Sequence, residues 1–351
     1  MGEKILVVNP GSTSTKMALF EGPIQQHAQV VRYDSDVLDE YTGIWQQFDR
    51  RTHEVRLWIH ALAERVDAVV SIGGLLRPLC GGTYLVNERM LQDARVNLQG
   101  EHASNLGCAM SYALAKEYQC PAYVVDPVSV DEMTQIARYS GHPLITRKSL
   151  SHALNLHAAA RRAADDLNLP LKESSLVVAH LGGGISVAPI LGGRILDVND
   201  ASSDGPFSPE RTGGLPLQDF ITLCFSGVYS ESEVRHLVMG KGGLMAYLGT
   251  NSGTEVERRI RSGDSLARDI YEAMAYQIAK EIGAMAVTLY GVVHAVVLTG
   301  GLAGSRILID EIRKRVKSLG PVFVYPDEDE MKSLACGALR VLRHEEQPLE
   351  Y

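Results

Sequence analysis

The sequence predicts an α/β protein built from two related halves, and three observations predict it. Short β-branched runs alternate with longer segments whose apolar residues recur at helical spacing, the pattern of strands covered by helices. A strand, a small-residue turn and a returning strand occur twice, and a strand ending in Gly-Gly also occurs twice, in the same order. The chain has 351 residues, enough at ~150 residues per domain for two cores.

In chain order, residues 5–8 form a buried strand that stops at Asn9-Pro10. Polar residues 12–16 turn the chain, and the alternating stretch 17–20 returns it. Residues 68–70 are the next strand and run into Ser71-Ile72-Gly73-Gly74. A helix over 105–118, a strand over 122–125 and a helix over 151–167 follow. Residues 176–179 then repeat the opening, with His180-Leu181-Gly182-Gly183-Gly184 as the turn and 185–190 as the returning strand. A long helix over 265–289 takes Asp264 as its N-cap. Residues 295–298 repeat the second strand and end in Thr299-Gly300-Gly301. A helix over 305–319, a strand over 322–325 and a helix over 328–343 complete the chain. The expected domains are 1–150 completed by 328–351, and 151–327.

With 45% hydrophobic and 22% charged residues, the composition is that of an ordinary globular protein and excludes disorder, collagen-like repeats and coiled coil. The net charge of −8 argues against nucleic acid as the main partner, since short basic patches such as Arg258-Arg259 with Arg261 read as solvated helix surface. Five cysteines without a C-x-x-C pair indicate neither a disulfide framework nor a zinc site, and a reducing cytoplasm is expected. The apolar run 5–8 is too short for a signal peptide, and no stretch reaches the ~20 residues a bilayer requires. Leu6 breaks the myristoylation pattern, so a soluble, unanchored protein is expected.

The commonest nucleotide and hydrolase signatures are absent. There is no G-x-x-x-x-G-K-[ST], and residues 300–304 do not spell G-x-G-x-x-G. H-E-x-x-H, G-x-S-x-G and the zinc deaminase pattern are missing as well. Three segments remain: Asn9-Pro10-Gly11-Ser12-Thr13-Ser14-Thr15-Lys16, the run 180–186, and Gly205 to Gly214 with its single Arg211. Glycine turns present backbone N–H groups to an anion without a Cβ in the way, and hydroxyls and a lysine add donors. Each half opens with such a turn, so the pair makes sense as a phosphate clamp around a nucleotide cleft. The guanidinium of Arg211 suits a phosphoryl group in transfer. Read as structure alone, the first segment is a polar hairpin turn and the third a surface connector.

These halves resemble the actin-like ATPase and sugar-kinase class, whose domains are ribonuclease H-like. More specifically, the chain resembles the acetate and butyrate kinase family along nearly its whole length, the butyrate kinase branch most closely. Residues 9–16 look like its first phosphate motif, 180–186 its second, and 298–303 its adenosine motif. Residues 100–107, 125–128, 147–155 and 206–214 also match that branch. The resemblance implies ATP + short-chain carboxylate ⇌ ADP + acyl phosphate with Mg²⁺, in a homodimer or higher homo-oligomer. It places Asn9, Gly11, Ser12, Ser14 and Lys16 around the phosphates and metal, with Glu330 in the metal's outer environment. His180, Gly182, Gly183 and Gly184 would hold the β/γ-phosphate side, and Gly300, Gly301 and Leu302 the adenosine. Arg211 and His152 would stabilise the transferring group, and Asp126 would orient the carboxylate or a metal-bound water. His102, Ile72, Gly73, Gly74, Ser151 and Pro206 would line the acid's side.

Two departures stand out. Ile72 occupies the position of an arginine in the butyrate kinase pattern, with Arg77 a candidate substitute, and Ser151 replaces an aromatic residue before His152. They leave open a nucleotide-binding member with weak or lost transfer, and a second alternative is another small-molecule kinase of the same superfamily.

Overall fold

A computed structural model of the chain describes residues 2–38, 41–326 and 329–351. It divides into two compact units, Met1–Asp131 with Asp329–Tyr351, and Glu132–Glu328. The first boundary therefore falls between 131 and 132, earlier than the expected 150. Residues 132–150 are bound to the second unit: Thr134 N–H donates to Leu196 O (2.9 Å), Ile195 N–H to Glu132 Oε2 (2.8 Å), and Arg147 pairs with Asp197 (2.9 Å). The second expected boundary, 327/328, and the expected start of the last helix at Glu328 lie outside the described residues.

The first unit is a six-stranded sheet, β1 (Lys4–Pro10), β2 (Ser14–Glu21), β3 (Ile24–Arg32), β4 (Ala68–Ser71), β5 (Thr83–Leu85) and β6 (Ala122–Val125), in the order β3-β2-β1-β4-β6-β5. The central strands are buried on both faces, which is why β1, β4 and β6 read as unbroken apolar runs. Helices α1 (Ser35–Leu38), α2 (Phe48–Leu62), α3 (Glu88–Arg95) and α4 (Leu106–Tyr118) belong to this unit. The last helix of the chain, α12 (Glu330–Leu342), returns to it. Thr83 Oγ1 donates to Gly337 O (3.2 Å), and a Cβ on Gly337 would come within 2.6 Å of Val125, so helix and strand meet backbone to side chain.

The second unit holds β7 (Ser175–Leu181), β8 (Ile185–Leu191), β9 (Arg194–Ile195), β10 (Ala295–Thr299) and β11 (Val322–Tyr325) in the order β11-β10-β7-β8-β9. Its helices are α5 (Ala153–Asp166), α6 (Leu217–Cys224), α7 (Glu231–Val238), α8 (Gly243–Leu248), α9 (Gly253–Arg261), α10 (Ser265–Thr288) and α11 (Arg306–Val316). In both units a central strand pairs antiparallel with the next strand and parallel with a later one, as β1 does with β2 and β4 and β7 with β8 and β10. The duplication read from the sequence is thus a shared sheet topology. Asp264 caps α10 through Ala267 N–H (3.0 Å). That helix lays Met274, Ile278 and Ile282 into the core, each burial contributing roughly 1.5–3 kcal/mol.

Candidate active site

Several candidate residues of the first unit stand at the carboxyl ends of its parallel strands, where α/β sheets place ligands. Val8, Ser71 and Val124 are register partners, so Asn9, Ile72 and residues 125–126 follow them side by side. Asn9 and Lys16 face each other across the β1–β2 hairpin. Asn9 is almost fully buried and its Nδ2 donates to Glu330 Oε2 at 3.1 Å, the first turn of α12 supplying the carboxylate. Gly11 N–H closes the turn on Ser14 O (2.7 Å), leaving Ser12 exposed and Ser14 half-buried at its tip.

Three further residues of this unit have structural duties that sequence did not reveal. Asp126 is buried in a left-handed conformation (φ 40°) and exchanges two bonds with Gly82, its Oδ1 accepting from Gly82 N–H (2.7 Å) and its own N–H reaching Gly82 O (3.0 Å). His102 caps the short turn Ala103–Asn105, its Nδ1 accepting from Ser104 N–H (3.2 Å). Gly74 lies so close to Asn105 that a Cβ would stand 2.6 Å from its Cα. Next to Gly73-Gly74, Ile72 is half-buried. Arg77 does not stand free to replace an arginine there: Asp93 holds it by Nε and, at 2.9 Å, by Nη2, and Tyr351 OH joins the same carboxylate (3.0 Å).

In the second unit the β7–β8 hairpin brings two histidines and an arginine together. His180 and Ser186 are cross-strand partners, and His152, which precedes α5, hydrogen-bonds Ser186 Oγ through Nδ1 (2.9 Å). The two imidazoles stack with centroids 4.3 Å apart and planes 27° apart. The Asn155 side-chain amide, on the first turn of α5, hydrogen-bonds His180 Nδ1 (3.2 Å). Burial, reinforced by the charge of Arg211, pulls His152 down to about 4; burial first and its neighbour His152 second hold His180 well below the usual imidazole range. Both rings are therefore neutral N–H donors at pH 7. Ser151 is buried with its hydroxyl unpaired among the described residues, as is Asn155 Oδ1.

Close packing explains the glycines around this cluster. A Cβ on Gly182 would lie 2.9 Å from His180 Nε2, and one on Gly184 would lie 2.4 Å from Arg211 Nη1. Gly300 adopts φ 90° directly beneath Leu181 O, a conformation and a spacing that only glycine accepts. Arg211 Nη1 donates to Ala201 O (2.7 Å), and the loop that carries it is fastened by Ser208 Oγ to Gly183 O (2.6 Å), with Pro206 buried beneath. No carboxylate pairs with Arg211 among the described residues, so most of its five N–H groups remain available.

Beside the glycine turn lies a cavity of about 570 Å³ lined by Gly182, Gly183, Gly301, Leu302 and Ser305, and also by Glu210, Asn251, Gly253, Thr254 and Glu257. Sequence reasoning singled out the turn, the Gly300–Leu302 segment and the loop that carries Glu210 but missed the rest of the second wall. Asn251 donates to Glu210, and Glu257 is buried, taking Ser305 Oγ–H and pairing with Arg261. No spacing signal marks these polar residues; only α9 packing against Leu302 brings them there. A Cβ on Gly253 would come 2.7 Å from Leu302 Cδ2.

Comparison with known proteins gives this chain its family and relatives. The model of the Acetokinase family matches residues 135–349. A chain described as probable butyrate kinase 2 from Caldanaerobacter subterraneus subsp. tengcongensis is 49% identical over 351 residues, covering 99% of both. A probable butyrate kinase from Listeria monocytogenes serotype 4a is 46% identical and covers 100% of both chains. Among solved structures, Porphyromonas gingivalis acetate kinase shares the fold at TM-score 0.79 and 17% identity, covering 97% of this chain and 100% of that one.

Proposed function

We infer the reaction from one premise: this chain belongs to the acetokinase family. It is a short-chain carboxylate kinase with actin-like ATPase topology, and the likeness over its full length to butyrate kinases favours this over a nucleotide-binding relative without transfer or another small-molecule kinase. Butyrate or a branched short-chain acid is the acceptor we assign. A carboxylate oxygen attacks the γ-phosphorus of ATP in line, the bond to the β,γ-bridging oxygen breaks, and ADP leaves with that electron pair.

The observation that carries this reading is Arg211, an unpaired guanidinium held against the glycine turn beside two neutral histidines. Such a transfer needs charge compensation and positioning rather than covalent help. Arg211 supplies charge to the equatorial oxygens, while His180 and His152 supply neutral imidazoles whose state does not vary near pH 7. The groove beside Gly182 and Leu302 takes the adenosine, with Ser305 and Glu257 as polar partners for its hydroxyls and amine. On the first unit's hairpin, Asn9, Gly11, Ser12, Ser14 and Lys16 are assigned to phosphate, and Asp126, His102, Ile72, Gly73, Gly74, Ser151 and Pro206 are assigned to the acid's surroundings.

Glu330, whose Oε2 takes the Asn9 Nδ2–H, offers hard carboxylate oxygens that suit magnesium, and with Asn9 it is the pair we assign to that ion's surroundings. When bound with nucleotide, the ion neutralises phosphate charge. Among the described residues no helix is long and apolar enough to cross a membrane. Use of ATP and cysteines without paired spacing support a cytoplasmic setting.

For assembly, the support is α6, which buries none of its residues and exposes Leu217 and Ile221, followed by Phe225 at 86% and Val228 at 70% exposure. We assign this apolar face to a second copy of the chain. Phe225→Glu should reduce the light-scattering mass to that of one 38.3 kDa chain; a parent that already runs as a monomer removes the assignment. The reaction itself is tested by trapping acyl phosphate as hydroxamate with MgATP and acids from acetate to branched C5. The expected rate is highest with butyrate or isobutyrate, and no product from any of these acids overturns the reading.

A further inference from the structure

Arg51, on α2, is 1% exposed, yet no carboxylate pairs with it among the described residues. Its guanidinium is spent on the opening hairpin turn instead. Nη1 donates to Gly11 O (2.8 Å), Ser14 O (3.1 Å) and Thr15 Oγ1 (3.2 Å), and Nη2 to Ser12 O (3.2 Å). Gln47 Oε1 takes Nε and Nη2 (3.0 and 2.8 Å), and the Tyr33 ring lies against the group with Cζ 4.5 Å from its centroid. Tyr33 OH in turn donates to Glu54 (2.5 Å) and lies 3.0 Å from Thr15 Oγ1.

This arrangement has a directional consequence. In a planar trans peptide the carbonyl of one residue and the N–H of the next point opposite ways. Carbonyls of Gly11 and Ser12 turned inward to Arg51 therefore aim the N–H groups of Ser12 and Thr13 outward, and neither donates to a protein acceptor among the described residues. Outward amides in succession above a buried cation that no carboxylate touches among the described residues form a concavity for an anion.

We propose that Arg51 is a positioning residue for phosphoryl transfer: it clamps the carbonyls of the Gly11–Ser14 turn so that the Ser12 and Thr13 amides face the nucleotide's phosphates. The proposal rests on the reading that this turn meets phosphate, and it adds the group that shapes the turn. A lysine keeps the charge but lacks the fork that reaches several carbonyls at once.

The experiment compares the whole enzyme with Arg51→Lys by steady-state kinetics in MgATP and butyrate, MgADP calorimetry and ligand-free melting. The expected result is a folded variant whose MgADP affinity falls and MgATP KM rises about tenfold, with butyrate KM within about twofold. A folded variant with parental nucleotide constants, or one in which both substrates' constants move together, overturns the proposal. Should Arg51→Lys not fold, Gln47→Met removes the amide that anchors the guanidinium, and the same changes in its constants support or overturn the clamp. Lys16→Ala separates the two levels. If it leaves MgADP affinity unchanged, the phosphate reading of the turn fails and the proposal with it; if it weakens binding while Arg51→Lys does not, only the clamp fails.

Discussion

Arg211→Ala should lower kcat for acyl phosphate formation by about 10³-fold, while MgADP affinity measured by calorimetry changes less than about fivefold. The asymmetry follows from the role proposed for the guanidinium. In the resting site it spends one donor on Ala201 O and presses against Gly184, with its remaining N–H groups unbound by protein. Those donors gain most when charge spreads over the equatorial oxygens in flight, so their loss falls on the transition state rather than on ground-state binding. The neutral imidazoles of His180 and His152 stay in place and sustain the residual rate. A loss below about tenfold in kcat, or an equal loss in nucleotide affinity, would show that Arg211 binds rather than catalyses.

The second large effect needs only one methyl group. Gly184→Ala places a Cβ 2.4 Å from Arg211 Nη1 and 2.6 Å from its Cζ, distances no contact tolerates. The backbone of Gly184 accepts an alanine without strain, so the guanidinium must move, breaking the bond to Ala201 O. A displacement near 1 Å in a transferring group's partner costs about 10²-fold in rate, and that loss in kcat is expected with melting temperature little changed. A double-mutant cycle checks the cause: in an Arg211→Ala background, Gly184→Ala should cost less than about twofold, because its victim is already gone. Additive losses would mean that the methyl group acts on the nucleotide directly.

The central strands were readable because burial on both faces demands uninterrupted apolar runs, and 5–8, 122–125, 176–179 and 295–298 all lie within strands at or near those bounds. α4, α5, α10 and α11 were readable for a similar reason, each carrying a sustained apolar stripe. What escaped was held by tertiary contacts. β3 exposes most of its residues and has no alternation, and α2 buries Arg51 and Thr52 with Val55 and Ile59, so its inward stripe looks polar. The short helices α6 to α9 lack length for a periodic signal, although Ser230 and Ser252 cap α7 and α9. The glycine turns and Arg211 were legible as motifs. Asn251 and Glu257 were not, since a groove wall made by one helix packing on another leaves no local trace.

The first unit is discontinuous along the chain, and vectorial synthesis meets that fact directly. Its sheet acquires α12, with the Thr83–Gly337 bond and the Gly337–Val125 contact, only after the whole intervening unit has left the ribosome. A nascent polypeptide therefore carries an uncovered apolar sheet face through most of its translation, which is when chaperones have most to protect.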